Sequence, residues 1–119
     1  MTAEKLDQYF LDNDYTDGFP IVLPTEEKVA AMLKATSHRP DEMVGKMRPS
    51  DPHEAWEYTV EMVAVNAVMA GAKPEYFPAI LAMASTGVTS LFSSTSSFAR
   101  MAVFNGPIAK EIKMNSGIG

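Results

Sequence analysis

Cysteine is absent from all 119 residues, which removes disulfide staples, zinc–thiolate and iron–sulfur ligation, and any thiol nucleophile from this polypeptide. A chain without thiol chemistry suits a reducing compartment, and a cytoplasmic location is the expectation. Basic residues are also scarce: ten Lys and Arg against fifteen Asp and Glu leave a formal charge of -5 and a pI near 4.9. A phosphate backbone calls for clustered Lys and Arg, so nucleic acid is not an expected partner. The two histidines, His38 and His53, are too few to close a transition-metal site without thiolates, and neither a metal nor another cofactor is expected. Long apolar runs are missing as well. The longest, residues 62–72, is interrupted by Asn66 and is far short of the roughly 20 residues that cross a bilayer. The opening Met1-Thr2-Ala3-Glu4-Lys5 has no basic region followed by an apolar stretch, so neither export nor membrane insertion is expected. Repeats, the phosphate-loop pattern and a Gly-x-Ser-x-Gly elbow are all absent, which argues against solenoids, nucleotide-binding loops and serine-triad hydrolases.

What is present is a globular composition, 46% hydrophobic and 21% charged, at a length that suits one domain over residues 1–119. Residues 3–12 set Leu6, Tyr9 and Phe10 at helical spacing among charged neighbours and predict a short amphipathic helix. The following Asn13-Asp14-Tyr15-Thr16-Asp17-Gly18 is turn chemistry, and residues 19–23 read as extended, with Pro20 and Pro24 barring a central strand. Thr25 predicts a helix cap, with Glu26 and Glu27 in the first turn and Val29, Met32 and Leu33 on the apolar face. Three prolines and mixed charge make residues 37–52 an irregular surface segment.

Asp51-Pro52-His53-Glu54 has the cap, first-position proline and returning glutamate of a helix start. It predicts a central helix over 51–70, closed by Gly71 with Pro74 beyond. After Met62 that helix is apolar nearly all round, which predicts packing on more than one side. A second apolar helix over 76–85 tolerates Pro78 only in its first turn. Met101-Ala102-Val103-Phe104 reads as a buried strand ended by Asn105-Gly106-Pro107, followed by a helical turn near 108–112. The fold class expected is α+β: helix-rich, with two or three short strands packed on a buried central helix.

Four constellations bear chemistry. Glu61 and Asn66 interrupt the apolar central helix. A glutamate in such surroundings is either a proton carrier with a raised pKa or a solvent-edge residue beside Glu54 and Glu57, and a buried amide either ties down a loop or meets a ligand. His53 and Glu57 share the spacing at which two side chains hold a metal or a proton, with His38 a conceivable third member, or else they form a solvated helix start. The hydroxyl run 93–97, including Thr95 and Ser96, precedes Arg100, whose guanidinium fork can bind a carboxylate or phosphate. Asn105 and Asn115 stand in turns after hydrophobic segments, where amides either donate into a cleft or serve the turn alone.

Several strings, Asp17-Gly18-Phe19-Pro20 with Pro24-Thr25-Glu26-Glu27, Thr59-Val60-Glu61, Val65-Asn66-Ala67-Val68-Met69-Ala70-Gly71 with Pro74-Glu75-Tyr76-Phe77-Pro78, Asn105-Gly106-Pro107-Ile108 and Asn115-Ser116-Gly117, together resemble an uncharacterised family of bacterial proteins. The resemblance covers nearly the whole chain and implies a shared fold and site, without a reaction. Members often carry Cys at the position of Ala72, so a thiol mechanism is not available here. They also continue past the Asn-Ser-Gly turn, which makes this chain resemble the front part of a longer domain. On that basis Glu61 and Asn66 are the expected catalytic residues. Asp17, Thr95, Ser96, Arg100, Asn105, Asn115 and Ser116 are the expected substrate-binding residues. The function expected is that of a subunit of a small bacterial catabolic enzyme, a lyase, hydratase or hydrolase acting on a polar organic molecule by acid–base chemistry. A non-catalytic small subunit that stabilises a catalytic partner is the alternative. The partner expected is a polypeptide supplying the family's C-terminal part, or a second copy of this chain.

Overall fold

Threonine opens three of the helices. In the computed structural model, which describes residues 2–47, 56–87, 101–115 and 117–118, Thr2 Oγ1 accepts from Lys5 N, Thr25 Oγ1 from Lys28 N and Thr59 Oγ1 from Met62 N, each at 3.4 Å. Each bond satisfies one of the amides that a helix start leaves unpaired. The helices are α1 (Ala3–Asp12), α2 (Glu26–Leu33) and α3 (Val60–Met69). Glu4, Glu26 with Glu27, and Glu61 lie in their first turns, where a negative charge meets the positive end of the helix dipole.

The helix ends follow a common pattern. At the end of α3, Gly71 N donates to Val68 O and Ala72 N to Ala67 O, with Gly71 at φ 75, the left-handed close that glycine adopts without steric cost. At the end of α1, Asp14 takes the same role at φ 56, Tyr15 N bonds Phe10 O, and the Phe10 and Tyr15 rings meet edge-on at 5.9 Å.

Two strands form an antiparallel pair, β1 (Met43–Met47) and β2 (Trp56–Thr59). The register sets Met43 against Thr59, Gly45 against Tyr58 and Lys46 against Glu57, with an irregularity between Met43 and Gly45 that leaves Val44 as the extra residue. Lys46 and Glu57 form an ion pair across the strands. Tyr58 passes over Gly45, where a Cβ would come within 2.7 Å of its Oη, and its hydroxyl donates to Ala84 O at 2.6 Å. That bond ties the hairpin to α4 (Phe77–Ser85), which follows a 3-10 turn at Pro74–Tyr76 and holds Pro78 in its first turn.

The core is built from three helices: Val29 and Met32 of α2, Val60, Ala64, Ala67 and Val68 of α3, and Phe77 and Leu81 of α4. Burying a side chain the size of Phe77 or Met32 contributes about 1.5–3 kcal/mol relative to leaving it in water. Val22 and Val44 are partly buried against this cluster, and Val22 N donates to Met69 O at 3.0 Å, which lays the extended stretch before α2 along the end of α3. The last helix, α5 (Pro107–Glu111), starts after Gly106 at φ 84.

The molecule is thus α+β and helix-rich, as the sequence predicts, with two strands among the described residues. The details differ in four places. The central helix starts at Val60 and not near residue 51, because Trp56–Thr59 pairs as a strand and Thr59 is the cap; the signature at residues 51–54 lies outside the described residues. The segment expected to be irregular contains β1. Residues 101–104 are not a strand, and Met101 and Val103 are exposed. Finally, α3 buries one face only: Met62 and Asn66 are exposed, and Val65 and Met69 half-buried. Among the described residues no helix is long and apolar enough to cross a membrane.

Candidate functional site

The turn that follows α2 folds on its own side chains before it reaches β1. Thr36 Oγ1 accepts from His38 N at 3.2 Å, Glu42 Oε2 accepts from Arg39 N at 3.3 Å, and His38 Nδ1 lies 2.9 Å from Glu42 Oε1. Two carbonyls of the same turn reach the start of α3: Glu42 O accepts from Val60 N and Pro40 O from Glu61 N, both at 3.0 Å. The histidine–carboxylate pair is therefore fixed to the end of the central helix by backbone bonds.

Beside this pair lies a cleft of about 530 Å³, within the roughly 300–1,000 Å³ range of small-molecule sites. One wall is the turn, with Thr36, Ser37, His38 and Glu42; the other is α4, with Pro78, Leu81, Ala82 and Ser85; Met43, Val44 and Val60 complete the lining. Val60 and Leu81 are buried and Val44 half-buried, whereas the His38 and Glu42 side chains keep 53% and 44% of their surface open to solvent, so a ligand can reach them. Ser85 Oγ donates to Ala82 O at 2.7 Å.

The hydrogen bond from His38 lowers the Glu42 carboxyl from its ordinary value; desolvation, the next largest influence, opposes the shift, and the Arg39 backbone amide and the His38 and Arg39 charges reinforce it. An ionised carboxylate only accepts, so the hydrogen of this bond belongs to Nδ1 and neutral His38 presents Nε2 as a lone pair. Among the described residues Nε2 makes no hydrogen bond. An oriented imidazole with a free nitrogen beside an open cleft is equipped to move a proton.

The residues expected from sequence are scattered. Glu61 is exposed on the first turn of α3 and lines none of the clefts described; Glu57, its supposed neighbour on a helix stripe, is on β2. Asn66 is not buried: its Nδ2 donates to Met62 O at 2.8 Å, one turn back in the same helix. It shares with Asp17 the lining of an open groove of about 670 Å³ between the turn after α1 and the outer face of α3. Asp17 Oδ1 accepts from Phe19 N. Asn105 and Asn115 are exposed, and Asn115 Oδ1 accepts from Gly117 N at 3.1 Å, ordinary turn chemistry. Thr95, Ser96, Arg100, Ser116 and His53 lie outside the described residues.

The sequence names His38 only as a conceivable third metal ligand and does not single out its pairing with Glu42. The signal for the pair is the i, i+4 spacing of an imidazole and a carboxylate around Pro40, which carries no weight in a segment expected to be irregular throughout. Among the described residues no three His, Asp or Glu side chains are grouped so as to hold a metal ion. Comparison of the chain with protein-family models, with curated proteins and with solved structures finds no match.

Proposed function

We propose that this chain is the subunit of an acid–base enzyme of lyase, hydratase or hydrolase type, acting on a small organic molecule in the cleft between the 36–42 turn and α4. His38 takes the role assigned from sequence to Glu61. The observation that carries this reading is the 2.9 Å bond from His38 Nδ1 to Glu42 Oε1 at the cleft wall. In the reaction Nε2 accepts a proton from water or from the substrate, Glu42 stabilises the imidazolium so formed, and the same proton returns to the leaving atom. The hydroxyls of Ser37 and Ser85 are placed to orient polar groups.

A generic activated ester such as p-nitrophenyl acetate tests the base directly. The purified chain should hydrolyse it faster than free imidazole, and His38→Gln should lower that rate on the order of 10²-fold, the usual contribution of a positioned acid–base group. His53→Gln serves as the control and should leave the rate unchanged. Equal rates for the chain and its His38→Gln variant would remove His38 from the proposal.

A second reading, a non-catalytic subunit that stabilises a partner, is favoured by one observation: Tyr15, Phe19 and Met62 are half or more exposed. Large apolar side chains left open in this way mark association surfaces. Under either reading we expect the chain to work in an assembly, with a complementary polypeptide or with a second copy of itself.

A further inference from the structure

We propose that the His38–Glu42 cleft selects an uncharged, partly apolar molecule bearing a hydroxyl, an alcohol or phenol, over an organic anion. The proposal rests on the reading of His38 as the cleft's base and names the ligand class for that site.

The donor and acceptor inventory of the cleft decides the matter. Among the described residues no Lys or Arg lines it, so a carboxylate or phosphate beside neutral His38 would give up hydration without gaining a cationic partner from them, which is unfavourable. Among the described residues the one carboxylate in the lining is Glu42, which accepts from His38 Nδ1 through Oε1 and from the Arg39 amide through Oε2 and sets a negative charge against an incoming anion. What the pair leaves unspent is Nε2, an acceptor when His38 is neutral, and an acceptor calls for a donor such as a hydroxyl. The lining also brings Val44, Val60 and Leu81 as an apolar surface, with the hydroxyls of Thr36, Ser37 and Ser85 elsewhere on it. A molecule that lays a ring or short chain on the three apolar residues and turns an O–H toward His38 meets both that surface and Nε2.

Three compounds of similar size separate the alternatives: benzyl alcohol, benzyl methyl ether and benzoate. Each is titrated into the full chain at about pH 8, above the ordinary imidazole range, while backbone amide shifts are followed by NMR. Benzyl alcohol should shift the amides of His38, Val44, Val60 and Leu81 saturably. Its Kd should be at least about fivefold lower than that of benzoate, the ratio given by about 1 kcal/mol. The ether, which lacks the O–H, should also bind more weakly, and in His38→Ala the advantage of the alcohol over the ether should disappear. Benzoate binding at these amides as tightly as the alcohol overturns the inference and leaves the cleft as the site. Failure of all three compounds to shift these amides also overturns it. The role of His38 as a base is judged separately, by the ester assay, so the two can fail independently.

Discussion

Glu42 and His38 lie four residues apart, and the bond between them makes each sensitive to the other. Because His38 hydrogen-bonds the carboxylate, the Glu42 pKa is lowered in the folded protein. A group depressed in this way adds stability that is present above its unfolded pKa and is lost as pH falls through the folded value. The stability change therefore falls at and below the ordinary carboxylate range, and none of it lies near neutrality. An NMR titration of the Glu42 side-chain carboxyl should give a midpoint below that of an unstructured glutamate, and His38→Ala should move it upward. An unchanged midpoint in the variant would mean that His38 is not the main cause. Asn66 makes a different point at the same scale. An amide inside an apolar run looks buried when only the run is visible, because a sequence shows that a helix is apolar without showing which sides are covered. Here Asn66 faces out and bonds its own helix at Met62 O, so Asn66→Leu should change stability in urea by no more than about 0.5 kcal/mol, the usual range for an exposed site. A loss well beyond that would place the side chain in contacts the structure does not contain.

The helices were the legible elements. Thr25 caps α2, Gly71 closes α3 and Pro78 sits in the first turn of α4, since caps and prolines act on their own backbone within a few residues and need no tertiary partner. The hairpin was not legible. Trp56–Thr59 follows a good helix-start signature and continues into a helix, so local chemistry alone extends the helix backward. The strand exists because β1 lies opposite it and because Tyr58 finds Ala84 O on α4, two long-range contacts that no window of sequence contains. The hairpin's attachment can be measured at that contact. Tyr58→Phe should cost about 1 kcal/mol, the net worth of a typical hydrogen bond. Gly45→Ala should destabilise as well, since the new Cβ would lie 2.7 Å from Tyr58 Oη and the ring must shift to admit it. In Gly45→Ala/Tyr58→Phe the two losses should sum to less than their separate values, because both act on the same bond. Strict additivity in urea denaturation would argue that the close approach is relieved elsewhere.

Across the molecule, α2, α3 and α4 enclose a core from one side of α3, while the opposite side leaves Met62 exposed and carries Asn66 and Met69 toward the turn after α1. That turn presents Tyr15 at 57% exposure and Phe19 at 75%, and α1 adds Tyr9 and Leu11, each about half exposed. The sequence signal is the all-round apolarity of residues 62–70, which predicts packing on more than one side; the core formed by the described residues covers one. Apolar side chains brought together on two elements and left in water weaken solubility unless another surface covers them. The charge distribution does not oppose such cover: at the groove joining these elements, Asp14 and Asp17 are the charged residues in the lining and Asn66 the amide, so a partner with apolar side chains and a few donors or basic groups would complement it. A second copy docking the same face would bring like charges together, which favours a different polypeptide over a symmetric dimer. Light scattering on material purified with its natural partners retained should therefore give a homogeneous particle heavier than the 13.0 kDa chain. Phe19→Asp should release the chain from that particle without changing its own far-UV spectrum. A stable, non-aggregating particle of one chain, unaltered by Phe19→Asp, would mean that this face works uncovered.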